Sequence, residues 1–320
     1  MSIYIPLVSG DLLGTLAVRQ DMQAWIKKNG VKNTESAYST YQQQYLSFCT
    51  SRGLPKEAPE AIALFLREGM EERKLTASTL NGVAASAISD LFRYDKISPT
   101  LDPMVRATKK VIGRMAKKGP GAKRALPRHL LEDFMDMVDP KRLKDVRDIL
   151  LFIMMFGGLF RGSEAAALKA EKVWVEEGNL YIFVEKSKVD QDCHGETIVL
   201  AGCPTSQLCP VTWFEIYNKE RPDGEFLFHN ISKPGQKLSA KRTNTLLKEW
   251  LKRAGVPKDE RALFGSHSLR RGGATAAAAK KIRMHVLKRH GRWKSDAVYL
   301  YIMDSTEERL SVSRAVLGFD

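Results

Sequence analysis

The sequence predicts a mainly α-helical protein that carries one small antiparallel sheet and divides into two domains, the second of them α+β. Three observations predict it. Apolar residues in the first third recur at helical spacings of three and four. A basic stretch with glycine and proline but no acid breaks that pattern between Met115 and His129. Beyond it, short β-branched runs flank a Glu176-Glu177-Gly178 turn, and helical patterns then return.

The elements follow in order. Thr34 to Cys49 puts Tyr38, Tyr41, Tyr45, Leu46 and Cys49 on one helical face, with Thr34 or Ser36 as caps. Such a stripe is core in the first instance. Pro59 to Met70 and Thr76 to Tyr94 give two further helices, and Asp102 to Met115 a fourth after the stop at Pro99. In the second domain, Leu130 to Val138 and Lys144 to Phe156 read as helices. Val173 to Val175, Asn179 to Val184 and Thr197 to Leu200 read as strands, and the chain is mostly helical after Pro210. The expected division is a helical domain over 1–116, a basic linker over 117–126, and a second domain over 127–320 with a tail from about 306.

Charge points to the partner. The 320 residues hold 51 Lys plus Arg against 37 Asp plus Glu, a net charge of +14 and a pI near 9.6. A surplus of that size favours a polyanion such as nucleic acid. Val105 to Arg128 holds nine Lys or Arg and no acid, so Lys117, Lys118, Lys123 and Arg124 are read as a strap along a phosphate backbone rather than an ordinary solvated helix. The longest apolar stretch, Ile149 to Phe160, is too short to cross a bilayer, and Met1 to Leu13 lacks the basic start of a signal peptide. No membrane partner is expected, and the protein is placed inside a cell. Cys49, Cys193, Cys203 and Cys209 form no C-x-x-C pair, so neither a zinc site nor a redox motif is signalled and no metal or other cofactor is expected.

Four segments carry chemistry. In Gly157-Gly158-Leu159-Phe160-Arg161-Gly162-Ser163-Glu164 an apolar helix ends at a glycine pair and one arginine follows, a device for aiming a guanidinium into a cleft; a helix-terminal surface arginine is the plain alternative. Lys186 and Lys188 lie on one side of an extended segment near the end of a β-hairpin. In His267-Ser268-Leu269-Arg270-Arg271, His267 and Arg270 share a helix face and can grip an anion through charge-assisted hydrogen bonds, while Arg271 points elsewhere. Last comes His290-Gly291-Arg292-Trp293-Lys294-Ser295, where Ser295 can cap a helix bearing Tyr299 and Tyr301. The basic setting of Arg271 and Arg292 makes them candidate DNA contacts.

Each signal is modest alone, but their order resembles the tyrosine recombinase or phage integrase family. An arginine stands in G-L-x-R-x-x-E, a lysine on a hairpin, then H-x-x-R, G-x-W and a tyrosine within ten residues. The resemblance covers Leu126 to about Asp304, and SKVDQ and GRWKSDA are worded most like the recombinases of eukaryotic mobile elements, the Crypton and DIRS-like groups. It implies a helical core-binding domain followed by a tyrosine-recombinase catalytic domain. By that resemblance Arg161 and Arg270 clamp the scissile phosphate and Glu164 orients them. Lys188, preferred over Lys186, protonates the leaving oxygen. His267 matches the H of H-x-x-R, Trp293 stands where many members have histidine, and Tyr301, preferred over Tyr299, is the nucleophile. The resemblance further implies double-stranded DNA with a specific recombination site as substrate, a homotetramer on it, and a C-terminal tail that docks on a neighbouring protomer. A domesticated DNA-binding protein and a metal-dependent nuclease are the rival readings.

Overall fold

The structure is a computed structural model that describes residues 22, 25, 32–92, 98–116, 123–185, 195–231, 235–304 and 306–318. The chain forms two compact units, Met1–Gly121 and Ala122–Asp320. It is mainly helical with one three-stranded antiparallel sheet, the expected fold class. Among the described residues no helix is long and apolar enough to cross a membrane.

In the first unit α1 (Lys32–Arg52) presents Tyr45 and Cys49 to the core, whereas Leu46 is exposed and Phe48 packs in its place. The helix begins at Lys32, before either of the expected caps. Arg52 is tied to Glu68 of α2 (Pro59–Glu71) by two hydrogen bonds of 2.6 and 2.8 Å. The expected single helix after Thr76 is instead a π-helical turn over Thr79–Ala84 continued by α3 (Ala85–Leu91). Asn81 lies in that wide turn and donates 2.8 Å to the Lys109 carbonyl of α4 (Pro103–Met115), so a cross-helix bond accompanies the departure from α geometry. The Asp102 side chain accepts the Met104 N–H at 2.7 Å and caps α4, with Pro103 pre-set in the first turn.

The second unit is built around α6 (Leu143–Gly157), which follows α5 (Arg128–Met135) and is buried along most of its length. Its buried charged residues are paired. The Arg147 guanidinium donates to Asp148, and Asp148 also accepts Trp250 Nε1–H at 3.1 Å. After the short α7 (Gly162–Ala166), strands β1 (Val173–Glu176), β2 (Asn179–Val184) and β3 (Glu196–Leu200) lie in sequence order. Leu180, Ile182 and Val184 of β2 turn inward at every second position, as the pleat requires. Helices α8 (Pro210–Glu220), α9 (Ala240–Arg253), α10 (Lys258–Ala262), α11 (Ser266–Ala279), α12 (Met284–His290) and α13 (Thr306–Leu317) complete the unit.

The segment read as linker ends within this unit. Arg124 N–H donates to the Leu263 carbonyl at 2.9 Å, Leu126 N–H to the Ser268 carbonyl at 2.8 Å, and Leu126 is fully buried. Residues 123–126 are therefore fixed to the second unit; residues 117–122, with Lys117 and Lys118, lie outside the described residues.

Candidate active site

Close approach of two helices places Arg270. On α11, a Cβ at Gly272 would meet the Leu126 carbonyl oxygen at 2.1 Å, and one at Gly273 the Phe156 carbonyl oxygen at 2.0 Å. Glycine at both positions lets α11 press against the end of α6, and Arg270 is carried to full burial beneath it. Its two terminal nitrogens donate to the carbonyls of Leu159 and Gly291, the latter at 2.5 Å. A guanidinium has five donors, and the Nε–H of Arg270 is buried without an acceptor. Burial, with the positive Arg161 nearby, lowers the Arg270 pKa to about 9, which leaves it charged at neutral pH.

Arg161 follows the turn in which Leu159 is left-handed, φ 52°, and it stands at the start of α7. Glu164, one turn on, accepts the Arg161 backbone N–H at 3.0 Å and also pairs with the Arg161 guanidinium. Arg292 lies 3.3 Å and Arg270 3.8 Å from the same carboxylate. Burial would raise the Glu164 pKa. The positive charge of Arg292 and the hydrogen bond and charge of Arg161 outweigh it, and the carboxyl is held below its ordinary range.

Trp293 and Tyr301 close the other side. The Arg270 guanidinium carbon lies 4.1 Å from the Trp293 ring centre and 5.4 Å from that of Tyr301, and the two rings are 5.2 Å apart. The Trp293 Nε1–H is buried without an acceptor. Ser295 accepts the Ala297 N–H, the expected cap, but the element it caps is a 3-10 turn over Asp296–Leu300 that carries Tyr299 and ends just before Tyr301. Tyr301 is half-buried against the cluster of Leu159, Leu287 and Trp293, whereas Tyr299 is 58% exposed.

The remaining candidates separate. His267 is exposed on the first turn of α11. Lys186 and Lys188 lie outside the described residues, but the residue before them does not: Glu185 pairs with Lys169 at 3.4 Å and Lys172 at 3.7 Å. Lys123 and Arg124 are exposed, with the Lys123 ammonium 2.6 Å from the Ala262 carbonyl. Arg271 is half-buried. Arg292 corrects the sequence reading. It is 5% exposed and its two terminal nitrogens donate to backbone carbonyls and Glu164, so it has no surface to offer a DNA backbone. His290 was not singled out as a site residue, yet its Nε2 lies 2.8 Å from the Gly157 carbonyl and joins α12 to the end of α6.

Two buried arginines, an acid between them, and an indole and phenol stacked against one of them define a class: a protein with the tyrosine-recombinase fold. Residues 124–307, more than half of the chain, match the Phage integrase family. The chain belongs to that family. It is 28% identical over 295 residues to an integrase/recombinase xerD homolog of Selenomonas ruminantium, spanning 87% of this chain and 83% of that protein. Its fold is similar to that of the Tn1549 transposon integrase in complex with transposon right end DNA, with a TM-score of 0.65, 14% identity, and coverage of 92% of this chain and 98% of that one. It is also similar to the XerH site-specific recombinase bound to palindromic difH substrate, with a TM-score of 0.62, 16% identity, and coverage of 88% and 79%.

Proposed function

We propose that this protein is an active site-specific DNA recombinase that breaks and rejoins strands through a 3′-phosphotyrosyl intermediate. The observation that carries the reading is the convergence of Arg161, Glu164, Arg270, Trp293 and Tyr301 in one cluster, with Glu164, Arg270 and Trp293 buried and Arg161 and Tyr301 half-buried at its edge. Its membership of the phage integrase family, and the DNA held by structural neighbours, support DNA as its partner.

The chemistry follows from the donors. A tyrosine titrates near pH 10 and is a poor nucleophile until the phosphate it attacks is neutralised. Arg161 and Arg270 supply fixed positive charge, and Trp293 adds a neutral donor whose indole cannot take a proton. The Tyr301 phenol gives its proton to solvent and its oxygen attacks phosphorus, the bond to the 5′ oxygen breaks, and Lys188 gives a proton to the leaving oxygen and later regains one from solvent. The phosphotyrosyl bond keeps the energy of the one broken, so the hydroxyl of another strand reverses the step. Residues 1–116 serve as the core-binding domain, and Lys117, Lys118, Lys123, Arg124 and Arg271 meet the DNA backbone.

Recombination in this reading takes two such exchanges within a homotetramer. Among the described residues α13 has none buried, and it exposes Leu310, Val312, Val316 and Leu317, which supports docking of the tail on a neighbouring protomer. The wording of GRWKSDA supports a mobile-element role, integrating or excising DNA, with action in the nucleus of a eukaryotic host or the nucleoid of a bacterial one.

A duplex nicked near the cleavage point, which loses the short fragment needed for rejoining, tests the reading. A covalent protein–DNA adduct in the presence of EDTA is the expected result. EDTA-sensitive cleavage with no adduct would make the protein a metal-dependent nuclease, and binding with no cleavage would make it a domesticated DNA-binding protein.

A further inference from the structure

We infer that Arg292 is a positioning residue for the phosphate grip: it pairs with Glu164 and pins the Gly158–Leu159 turn, so that Arg161 and Arg270 stay aimed at the scissile phosphate. The inference rests on the recombinase reading above.

The backbone gives the first reason. Arg292 follows the end of α12 with φ 58°, a left-handed conformation. Its N–H donates to the Arg289 carbonyl, and the Trp293 N–H to the Lys288 carbonyl, both at 2.9 Å. Helix ends of this kind ordinarily take glycine, because a Cβ makes the conformation costly. Ending the helix therefore does not call for arginine.

What the arginine gains is an inward side chain. One terminal nitrogen donates 3.0 Å to the His290 carbonyl; the other donates 2.9 Å to the Leu159 carbonyl and 3.3 Å to Glu164. Both nitrogens lie 3.3 Å from the Gly158 carbonyl, and the guanidinium sits 4.5 Å from the Phe160 ring centre. Leu159 is itself left-handed, and its carbonyl also accepts from Arg270. Two residues in a costly conformation are thus bonded to each other at the point from which Arg161 departs.

Charge gives the second reason. The groups that face Glu164 are Arg161 at the start of α7, Arg270 from α11 and Arg292 from the turn after α12; Glu196 of β3 acts on Arg292 through space. One carboxylate among three guanidiniums leaves two positive charges. Attack of a phenolate on a phosphodiester builds a five-coordinate group with two negative charges, so the cluster matches it. Without Arg292 the balance falls to one.

The test compares Arg292→Gly, Arg292→Gln and Arg292→Lys on the nicked duplex at saturating DNA, with DNA affinity and the pH–rate profile measured alongside. The Glu164 carboxyl is titrated separately by carbon NMR. The glycine variant, relieved of its left-handed cost, is expected to bind DNA as the unaltered chain does. It is expected to form the adduct about 100-fold more slowly, the scale set by small misplacements of catalytic groups. The acid limb of the profile moves to higher pH, and the lysine variant recovers part of both effects. Unaltered rate and acid limb in the glycine variant would overturn the inference. If the unaltered chain forms no adduct, the recombinase reading fails by itself. The Glu164 titration still decides for Arg292, since an unmoved carboxyl in Arg292→Gly overturns its role whether or not the protein cleaves. Should the glycine variant not fold, Arg292→Lys and Arg292→Gln are read in the same way.

Discussion

The guanidinium carbon of Arg270 lies 4.1 Å from the centre of the Trp293 ring, with both groups buried and each holding one N–H that has no acceptor. A buried donor without a partner costs about 1–3 kcal/mol. The pair accepts that cost where a phosphate oxygen can supply the missing bonds. Trp293→Phe keeps a ring beside Arg270 and removes the donor, so single-turnover cleavage is expected to fall about 100-fold, as it does for removal of one oxyanion donor elsewhere. An indole does not titrate, whereas Trp293→His would add an ionisation near pH 6.5 to the pH–rate profile. An identical rate in Trp293→Phe would show that the ring only packs.

Stability should depend on Glu164 through pH. Its folded carboxyl titrates below the ordinary value of 4.5 because Arg292, Arg161 and Arg270 outweigh the effect of burial. A depressed acid pKa stabilises the fold above the unfolded value and loses that contribution as pH falls through the folded one. Chemical denaturation at a series of pH values below 4.5 should therefore show a loss of stability that is shallower in Glu164→Gln. Parallel curves for the two proteins would remove Glu164 as the cause.

The core of the second unit contains an ion pair that single substitutions should expose. Asp148 is buried, pairs with Arg147 and accepts from Trp250, and burial raises its pKa despite those partners. Asp148→Asn keeps an acceptor for the indole but leaves the Arg147 charge unmatched. Breaking a buried pair in this way costs about 3–5 kcal/mol, which a urea melt would read directly. A loss below 1 kcal/mol would mean that solvent reaches Arg147.

Deleting the chain after Thr306 separates folding from assembly. No residue of α13 among those described is buried, so the melting temperature should stay where it is. Synapsis and strand exchange should be lost, as judged by native gel shift and product formation. Unchanged strand exchange would end the proposed role of the tail.

The sequence made some of this legible and hid the rest for physical reasons. Strand positions were readable because the alternation of Leu180, Ile182 and Val184 is local, and α6 because its apolar run is continuous. The contacts that place Arg270 are not local: Gly272 and Gly273 matter only because Leu126 and Phe156 arrive from far along the chain. Arg292 was misread as a DNA contact because it sits in a basic run, and nothing in that run announces the left-handed turn that sends it inward. The π turn at Thr79–Ala84 was hidden because its side chains keep an ordinary helical pattern. Lys117, Lys118, Lys186 and Lys188 lie outside the described residues, so the first two rest on the charge of the basic run and the other two on the resemblance.

The most direct measurement maps the trapped adduct. After digestion of the protein–DNA complex, the peptide that carries the nucleotide is sequenced by tandem mass spectrometry. The modification is expected on Tyr301, with adduct formation abolished in Tyr301→Phe and retained in Tyr299→Phe. A nucleotide on Tyr299, or an adduct that survives Tyr301→Phe, would contradict it.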